Sequence, residues 1–177
     1  MNWKEELDEF ETNKQWAKAI DLLKNKIDES PDEAEPFVRL IYLLHNLLLE
    51  EDYAGQGFNH DDLSNLLLNY FETSFRKFKD DPEYLFFVGI IMHIAEWYFG
   101  QKDVSLALQL QKKATDLEPE NILYEFSYKF STSDKPGSKK LAQELQRRGT
   151  ELTWLKSKGF PGSYALEIVN AVLQDRI

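Results

Sequence analysis

Cysteine is missing from all 177 positions of the sequence. Disulfide bonds and thiolate chemistry are therefore excluded, and the absence fits a reducing compartment. We also expect no secretory signal, because five acids lie within the first eleven residues and no apolar segment accompanies them. We therefore expect a cytoplasmic protein.

Long hydrophobic runs are missing as well. The most apolar stretch, "YLFFVGIIMHIAEWYF", covers residues 84–99 and is interrupted by His93 and Glu96. It is shorter than the roughly 20 residues that a membrane-spanning helix needs. We interpret it as a buried central helix and expect no membrane partner.

Catalytic motifs are missing too. The sequence has only three histidines and contains no His-Glu-x-x-His, Gly-x-Ser-x-Gly or Walker-type loop. His93 and Glu96 have no accompanying carboxylates in a di-metal pattern, and "NHDD" at 59–62 is typical of a helix start. We predict no catalytic residues, no metal and no cofactor, with an enzyme as the minority alternative.

Acidic residues outnumber basic ones by 31 to 21, which gives a formal net charge of −10. The excess lies in residues 1–133, with a net charge of −13, whereas residues 134–158 carry +4. An acidic body repels phosphate, so nucleic acid is not an expected partner. We interpret the basic segment as a solvated helix face.

Apolar residues recur at spacings of three and four almost throughout, as in "DDLSNLLLNYFETSFRKF". The turns "SPDEAEP", "DDPE" and "EPEN" mark helix ends, because proline cannot continue a helix. No alternating run indicates a strand. The pattern predicts an all-α fold of about eight helices in antiparallel pairs.

Small residues and prolines recur in one register. Ala19 and Pro31 lie twelve residues apart, as do Ala107 and Pro119. An aromatic first-helix pattern begins at Trp3 and begins again 34 residues later, which is the period of the tetratricopeptide repeat. The positions that follow the pattern are Trp3, Leu7, Phe10, Ala19, Leu23 and Pro31; Phe37, Leu40, Ile41 and Leu44; and Ile91, Ile94, Ala95, Tyr98, Ala107, Ala114 and Pro119.

The chain therefore resembles the tetratricopeptide-repeat family, which implies a short right-handed solenoid of helix pairs. We predict one domain, residues 1–177, with repeat 1 at 1–33, an extended repeat 2 at 34–83, repeat 3 at 84–120, and divergent C-terminal helices and a cap at 121–177. The extra length of repeat 2 is expected to lengthen both middle helices and their loop, "EEDYAGQGFNH". Ala107 and Ala114 should lie at a close contact between helices.

The resemblance also implies protein recognition by the concave surface that the first helices line. Carried over by position, that partner-binding surface comprises Lys4, Asp8, Glu11, Glu35, Val38, Tyr42, His45, Asn46, Met92, Glu96 and Phe99. Acids interleaved with aromatics suit a cationic protein surface. The family's carboxylate clamp for chaperone tails is not reproduced.

These observations favour a non-enzymatic module that binds a basic protein partner. A bacterial immunity protein that neutralises a basic toxin domain is a narrower form of this hypothesis. The alternative is an adaptor or secretion chaperone that binds short peptides in the same groove. The oligomeric state is left open by the sequence.

Overall fold

The computed structural model describes residues 2–51, 53 and 55–177. Helix accounts for 78% of this described part of the chain, which contains no strand. The prediction of an all-α fold is confirmed, but the described residues form ten α-helices and one 3₁₀ helix instead of about eight helices.

The helices follow one another along the chain with short connections. Their bounds are α1 Trp3–Thr12, α2 Trp16–Glu29, α3 Ala34–Glu50, α4 His60–Phe78, α5 Pro82–Ile94, the 3₁₀ helix Glu96–Phe99, α6 Ser105–Leu117, α7 Ile122–Ser131, α8 Lys135–Arg148, α9 Thr150–Lys156 and α10 Gly159–Leu173.

The helix count differs at the C-terminal end, where residues 121–177 form four helices. Gly149 has a φ of 75°, a left-handed conformation that glycine adopts without steric cost, and it separates α8 from α9. Lys158 then leaves helical geometry before α10 begins. The resulting α9 has only seven residues.

The described chain divides into two compact units. Unit 1 runs up to Lys79 and includes Tyr98–Gly100, and unit 2 comprises Asp80–Trp97 and Gln101–Ile177. The prediction of a single domain, and the arrangement of helix pairs as a solenoid, stay predictions.

Unit 1 consists of α1 to α4, each packed on the next along the chain. Helices α3 and α4 have 17 and 19 residues and are the longest in the described chain, so the predicted lengthening is confirmed. Of the loop between them, Asp52 and Ala54 lie outside the described residues. Helix α3 forms the centre of the unit, because twelve of its 17 residues are buried.

Helix α5 is the central helix of unit 2, where it packs on α6 and α7. Every residue from Tyr84 to Met92 is buried, which confirms a buried central helix in this part of the stretch 84–99, but the α-helix ends at Ile94. None of the helices in the described chain is both long and apolar enough to span a membrane.

The contact between α5 and α6 is close because small residues face each other. A Cβ atom on Gly89 would lie 3.2 Å from the Ala107 carbonyl oxygen, and Ala107 and Ala114 are fully buried. Gln111 lies between them in sequence on α6 and is also buried, although the repeat pattern favours a small or apolar residue there.

The buried Gln111 side chain satisfies its polar atoms within unit 2. Its Nε2 donates to the Gly89 carbonyl oxygen at 3.0 Å. Its Oε1 accepts from the hydroxyls of Ser127 at 2.7 Å and Ser131 at 2.9 Å. One amide therefore connects α5, α6 and α7, and a buried polar group carries no penalty when it is fully bonded.

The third first-helix pattern is interrupted in the structure. Helix α5 ends at Ile94, and Ala95 has non-helical backbone geometry with φ −149° and ψ 69°. Tyr98 then lies in the 3₁₀ helix and belongs to unit 1. The prediction that Ile91, Ile94, Ala95 and Tyr98 share one helix face is wrong.

Candidate functional site

Three of the predicted contact residues on α3 lie in the core of unit 1. Val38 is 3% exposed, His45 1% and Tyr42 fully buried. The expectation that these side chains lie on an exposed surface is wrong, because α3 is surrounded on most of its circumference. Asn46, on the same helix, is partly exposed.

The His45 side chain is buried because it packs against aromatic rings of unit 1. Its ring lies 5.9 Å from the Tyr98 ring and 6.0 Å from the Phe99 ring, all within unit 1. Burial lowers the pKa of the imidazole to about 4, so the ring is neutral at neutral pH. Its Nε2 has no hydrogen-bond partner among the described residues.

The acidic contact residues of unit 1 gather around a buried guanidinium, that of Arg39, which is 3% exposed. Its Nη2 lies 3.0 Å from Glu35 Oε1, and its Nη1 lies 3.8 Å from Asp8 Oδ1. Lys4 Nζ lies 2.7 Å from the other oxygen of Glu35. Predicted contact residues are thus brought together, but their charges neutralise one another within the chain.

Glu11 lies in the same region of unit 1 and is partly buried. Desolvation raises the pKa of its carboxyl to about 7, with Arg39 opposing the rise and Asp8 adding to it. A carboxyl whose pKa is higher in the folded state binds more protons when folded than when unfolded. The contribution of Glu11 to stability is therefore favourable below about pH 4.5 and is lost as the pH rises through about 7.

Replacing Glu11 with glutamine is expected to raise the free energy of unfolding at pH 8 by about 2 kcal/mol, because no charge has to be desolvated. At pH 4.5 the variant and the wild type should be equally stable. Urea unfolding at both pH values measures the difference. The control Glu9→Gln removes an exposed carboxylate of the same helix, and a similar gain at pH 8 in this variant would contradict the assignment.

The remaining predicted contact residues are separated by the end of α5. Met92 is fully buried in unit 2, and Phe99 is 1% exposed in unit 1, where its ring meets the Phe71 ring edge-to-face at 5.2 Å. Their predicted surface position is wrong because both fill hydrophobic cores. Glu96, in the 3₁₀ helix, is partly exposed.

Unit 2 contains a cleft of about 500 Å³ that the sequence analysis did not identify. Its walls come from the turn before α5, the turn before α7 and the start of α9. Its acidic residues are Asp81, Glu83, Glu118 and Glu151, and its aromatic residues are Tyr124 and Trp154. We call this cavity the acidic cleft.

Helix capping fixes two of these turns. Asp81 Oδ1 accepts a hydrogen bond from Tyr84 N at 2.9 Å and caps α5. Asn121 Oδ1 accepts from Leu123 N at 3.3 Å and caps α7, while its Nδ2 donates to Glu118 Oε2 at 3.3 Å. Helix N-termini favour nearby acids, so the capping chemistry of two turns concentrates carboxylates at one place.

The negative charges of the acidic cleft converge on the buried Tyr124 side chain. Burial raises the pKa of its hydroxyl, and the charges of Glu118, Glu83 and Asp81 raise it further. Glu151 adds a fourth carboxylate, whose Oε2 is buried without a hydrogen-bond partner among the described residues. Its Oε1 lies 3.7 Å from Arg148 Nη1. The four carboxylates of the cleft together favour a cation that donates hydrogen bonds.

The rim of the acidic cleft already holds one ammonium group of the chain. Lys158 Nζ lies 2.5 Å from Glu83 Oε1 and 4.8 Å from the centre of the Trp154 ring. Carboxylate and aromatic face therefore act together on a cation. The same chemistry suits a lysine or arginine side chain from another protein.

The basic residues of the segment 134–158 are largely paired within unit 2. Lys139 Nζ lies 2.5 Å from Asp175 Oδ1, and Arg148 Nε lies 2.9 Å from Glu144 Oε1. Hydrogen bonds from Arg147 and Arg148 lower the pKa of Glu144 to about 2. These pairs reduce the positive charge that the segment offers to an anion.

In the described part of the chain, no group of three or more His, Asp or Glu side chains is arranged to hold a metal ion. Comparisons with protein-family models, with curated proteins and with solved structures each found no match.

Proposed function

We propose that this protein is a non-enzymatic, tetratricopeptide-like helical-repeat module that binds a basic protein partner, and that the acidic cleft of unit 2 receives a cationic side chain of that partner. The observation that carries the proposal is the convergence of four carboxylates and two aromatic rings, Tyr124 and Trp154, on one cleft. The succession of packed neighbouring helices within each unit supports the repeat architecture.

The acidic cleft is a different site from the concave surface that the family resemblance implies. On that surface in unit 1, Glu35 forms ion pairs with Arg39 and Lys4, and Asp8 lies next to Arg39. The aromatic residues of the same surface are buried. In the acidic cleft, Glu118 is exposed and Glu151 Oε2 has no donor. Glu83 pairs with Lys158, and Glu151 lies 3.7 Å from Arg148. Four carboxylates with two nearby basic side chains leave net negative charge next to an apolar wall, which suits a cation.

The size of the acidic cleft favours a folded partner over an extended peptide. A cavity of about 500 Å³ has the volume of a pocket for a single small group and not of a groove for many residues. A folded basic domain that presents one protruding arginine or lysine fits this volume. Neutralisation of a basic toxin domain is the narrower form of this proposal.

Neutralising two acids of the cleft, Glu118→Gln with Glu151→Gln, is expected to weaken partner binding by about tenfold at low salt. A matched control, Glu9→Gln with Asp21→Asn, removes the same charge from exposed positions in unit 1. Immobilised wild type, cleft variant and control are exposed to extracts of the source organism, and retained proteins are quantified by mass spectrometry. A basic protein should be retained by wild type and control and depleted on the cleft variant.

A second readout uses a defined probe, Nα-acetyl-arginine amide. In NMR titrations it should shift the Trp154 indole signal of the wild type and of the control, and should not shift it in the cleft variant. Equal retention of the same proteins by all three baits, together with an unshifted Trp154 signal, would rule out the acidic cleft as the binding site.

A further inference from the structure

A second cavity in unit 2, separate from the acidic cleft in its chemistry, lies between α5, α7 and α10. Its volume is about 180 Å³. Its apolar lining consists of Phe86, Ile90, Ile94, Leu123, Phe126, Phe130, Ala165, Ile168 and Ile177, and its polar lining of His93, Ser127, Ser131 and Tyr164. We call it the apolar cavity.

Among the described residues, no acidic or basic side chain other than His93 lines the apolar cavity. The hydroxyls of Ser127 and Ser131 already donate to Gln111 Oε1. Burial lowers the pKa of the His93 imidazole, with the charge of Glu96 opposing the change. A neutral imidazole keeps one donor and one acceptor nitrogen, and the Nδ1 atom of His93 has no hydrogen-bond partner among the described residues.

The size of the apolar cavity matters because protein interiors are normally close-packed, with few voids larger than a water molecule. A dry, apolar cavity of about 150 Å³ is enough to bind benzene. The cavity in unit 2 is slightly larger, is lined mostly by aromatic and aliphatic side chains, and adds one imidazole. This composition is typical of a ligand pocket, in which apolar walls supply affinity and a few polar groups supply orientation.

We propose that the apolar cavity is a binding site for one compact, uncharged apolar molecule that carries a single hydroxyl or carbonyl group, with the His93 imidazole as its hydrogen-bonding partner. Charged molecules are excluded because no side chain of opposite charge compensates for their desolvation. The apolar cavity shares Leu123 of its lining with the acidic cleft, but neither proposal relies on the other, so failure of one leaves the other intact.

Three probes of nearly the same shape test the ligand class: benzyl alcohol, toluene and benzylammonium. In ¹H–¹⁵N NMR titrations of the wild type, we expect saturable binding of benzyl alcohol with a dissociation constant on the order of 0.1–1 mM. Toluene should bind several-fold more weakly, and benzylammonium should not bind. Absence of saturable benzyl alcohol binding, or equal binding of benzylammonium, would overturn the proposal.

Two variants test the location. Ala165→Met places a longer side chain inside the apolar cavity and should abolish binding, whereas Ala171→Met makes the same change on α10 away from the cavity lining and should leave binding unchanged. His93→Leu should reduce the affinity for benzyl alcohol to that for toluene. Retained binding in Ala165→Met would place the ligand elsewhere.

If Ala165→Met does not fold, nuclear Overhauser effects between benzyl alcohol and the wild type decide the location. Effects to the side chains of Phe126 and Ile168 support the proposal. Effects confined to other residues overturn it.

Discussion

Replacing Arg39 with methionine is expected to lower the free energy of unfolding by about 2–3 kcal/mol, because hydrogen bonds of a buried charged group are lost. The guanidinium is 3% exposed, donates from Nε to Glu35 Oε1 at 3.1 Å, and lies 5.4 Å from the centre of the Trp3 ring. Methionine retains most of the side-chain volume but removes the charge. Glu35 then keeps Lys4 as its cationic partner at 2.7 Å, and Glu11 loses the charge that lowers its pKa.

The loss caused by Arg39→Met should be larger at pH 8 than at pH 4.5, because carboxyls without a cationic partner can bind protons at the lower pH. Urea unfolding of the wild type, Arg39→Met, Glu35→Gln and the double variant forms a thermodynamic cycle. The double variant should lose less than the sum of the single losses. Arg39→Lys serves as the charge-retaining control, and a loss below about 1 kcal/mol in Arg39→Met would show that the buried cluster contributes little.

Replacing Gly89 with valine is expected to lower the free energy of unfolding by about 3 kcal/mol. A Cβ atom at this position would lie 2.6 Å from Gln111 Cγ, 3.2 Å from the Ala107 carbonyl oxygen and 3.3 Å from Gln111 N. Gln111 cannot easily move away, because its amide is held by hydrogen bonds to Gly89, Ser127 and Ser131. The backbone of α6 would have to shift.

The variant Gly89→Ala separates overpacking from helix propensity, because alanine favours a helix over glycine by about 1 kcal/mol. Combining Gly89→Ala with Gln111→Ala removes the nearest clashing atom, so the double variant should be more stable than the sum of the two single changes predicts. Thermal unfolding measures all of them. A neutral or stabilising effect of Gly89→Val would mean that α5 and α6 do not approach as closely as the structure has them.

Local sequence patterns were sufficient for the helices and for most of their ends. Apolar spacings of three and four follow from the helical period, and proline or an N-capping side chain marks a boundary without any distant contact. The starts of α3 at Ala34 and of α5 at Pro82 lie at the predicted turns. The exceptions are the end of α8 before Gly149 and the end of α5 before Ala95, where no proline marks the break.

Burial and charge pairing were decided by the tertiary structure. A helical pattern states which residues share a face but not how many neighbours cover the rest of the helix, and α3 is covered almost all around. Tyr42 and His45 therefore became core residues instead of contacts for a partner. Glu35 and Arg39 have the i,i+4 spacing that a charge pattern reveals. The charge pattern could not reveal that Arg39 also lies next to Asp8, which is 31 positions away in the chain.

The acidic cleft shows most clearly which features follow from local sequence and which follow from tertiary packing. The turns "DDPE" and "EPEN" were both recognisable as acidic helix starts, and each acid has a local reason in capping and in the helix dipole. Only the packing of α5, α7 and α9 brings Asp81, Glu118 and Glu151 together in one cleft. Sequence by itself determined the helices and their caps, because those depend on neighbours within one turn. The tertiary structure decided which charges are paired and which carboxylates lie together, because Coulomb and desolvation energies depend on distance in space and not on distance along the chain.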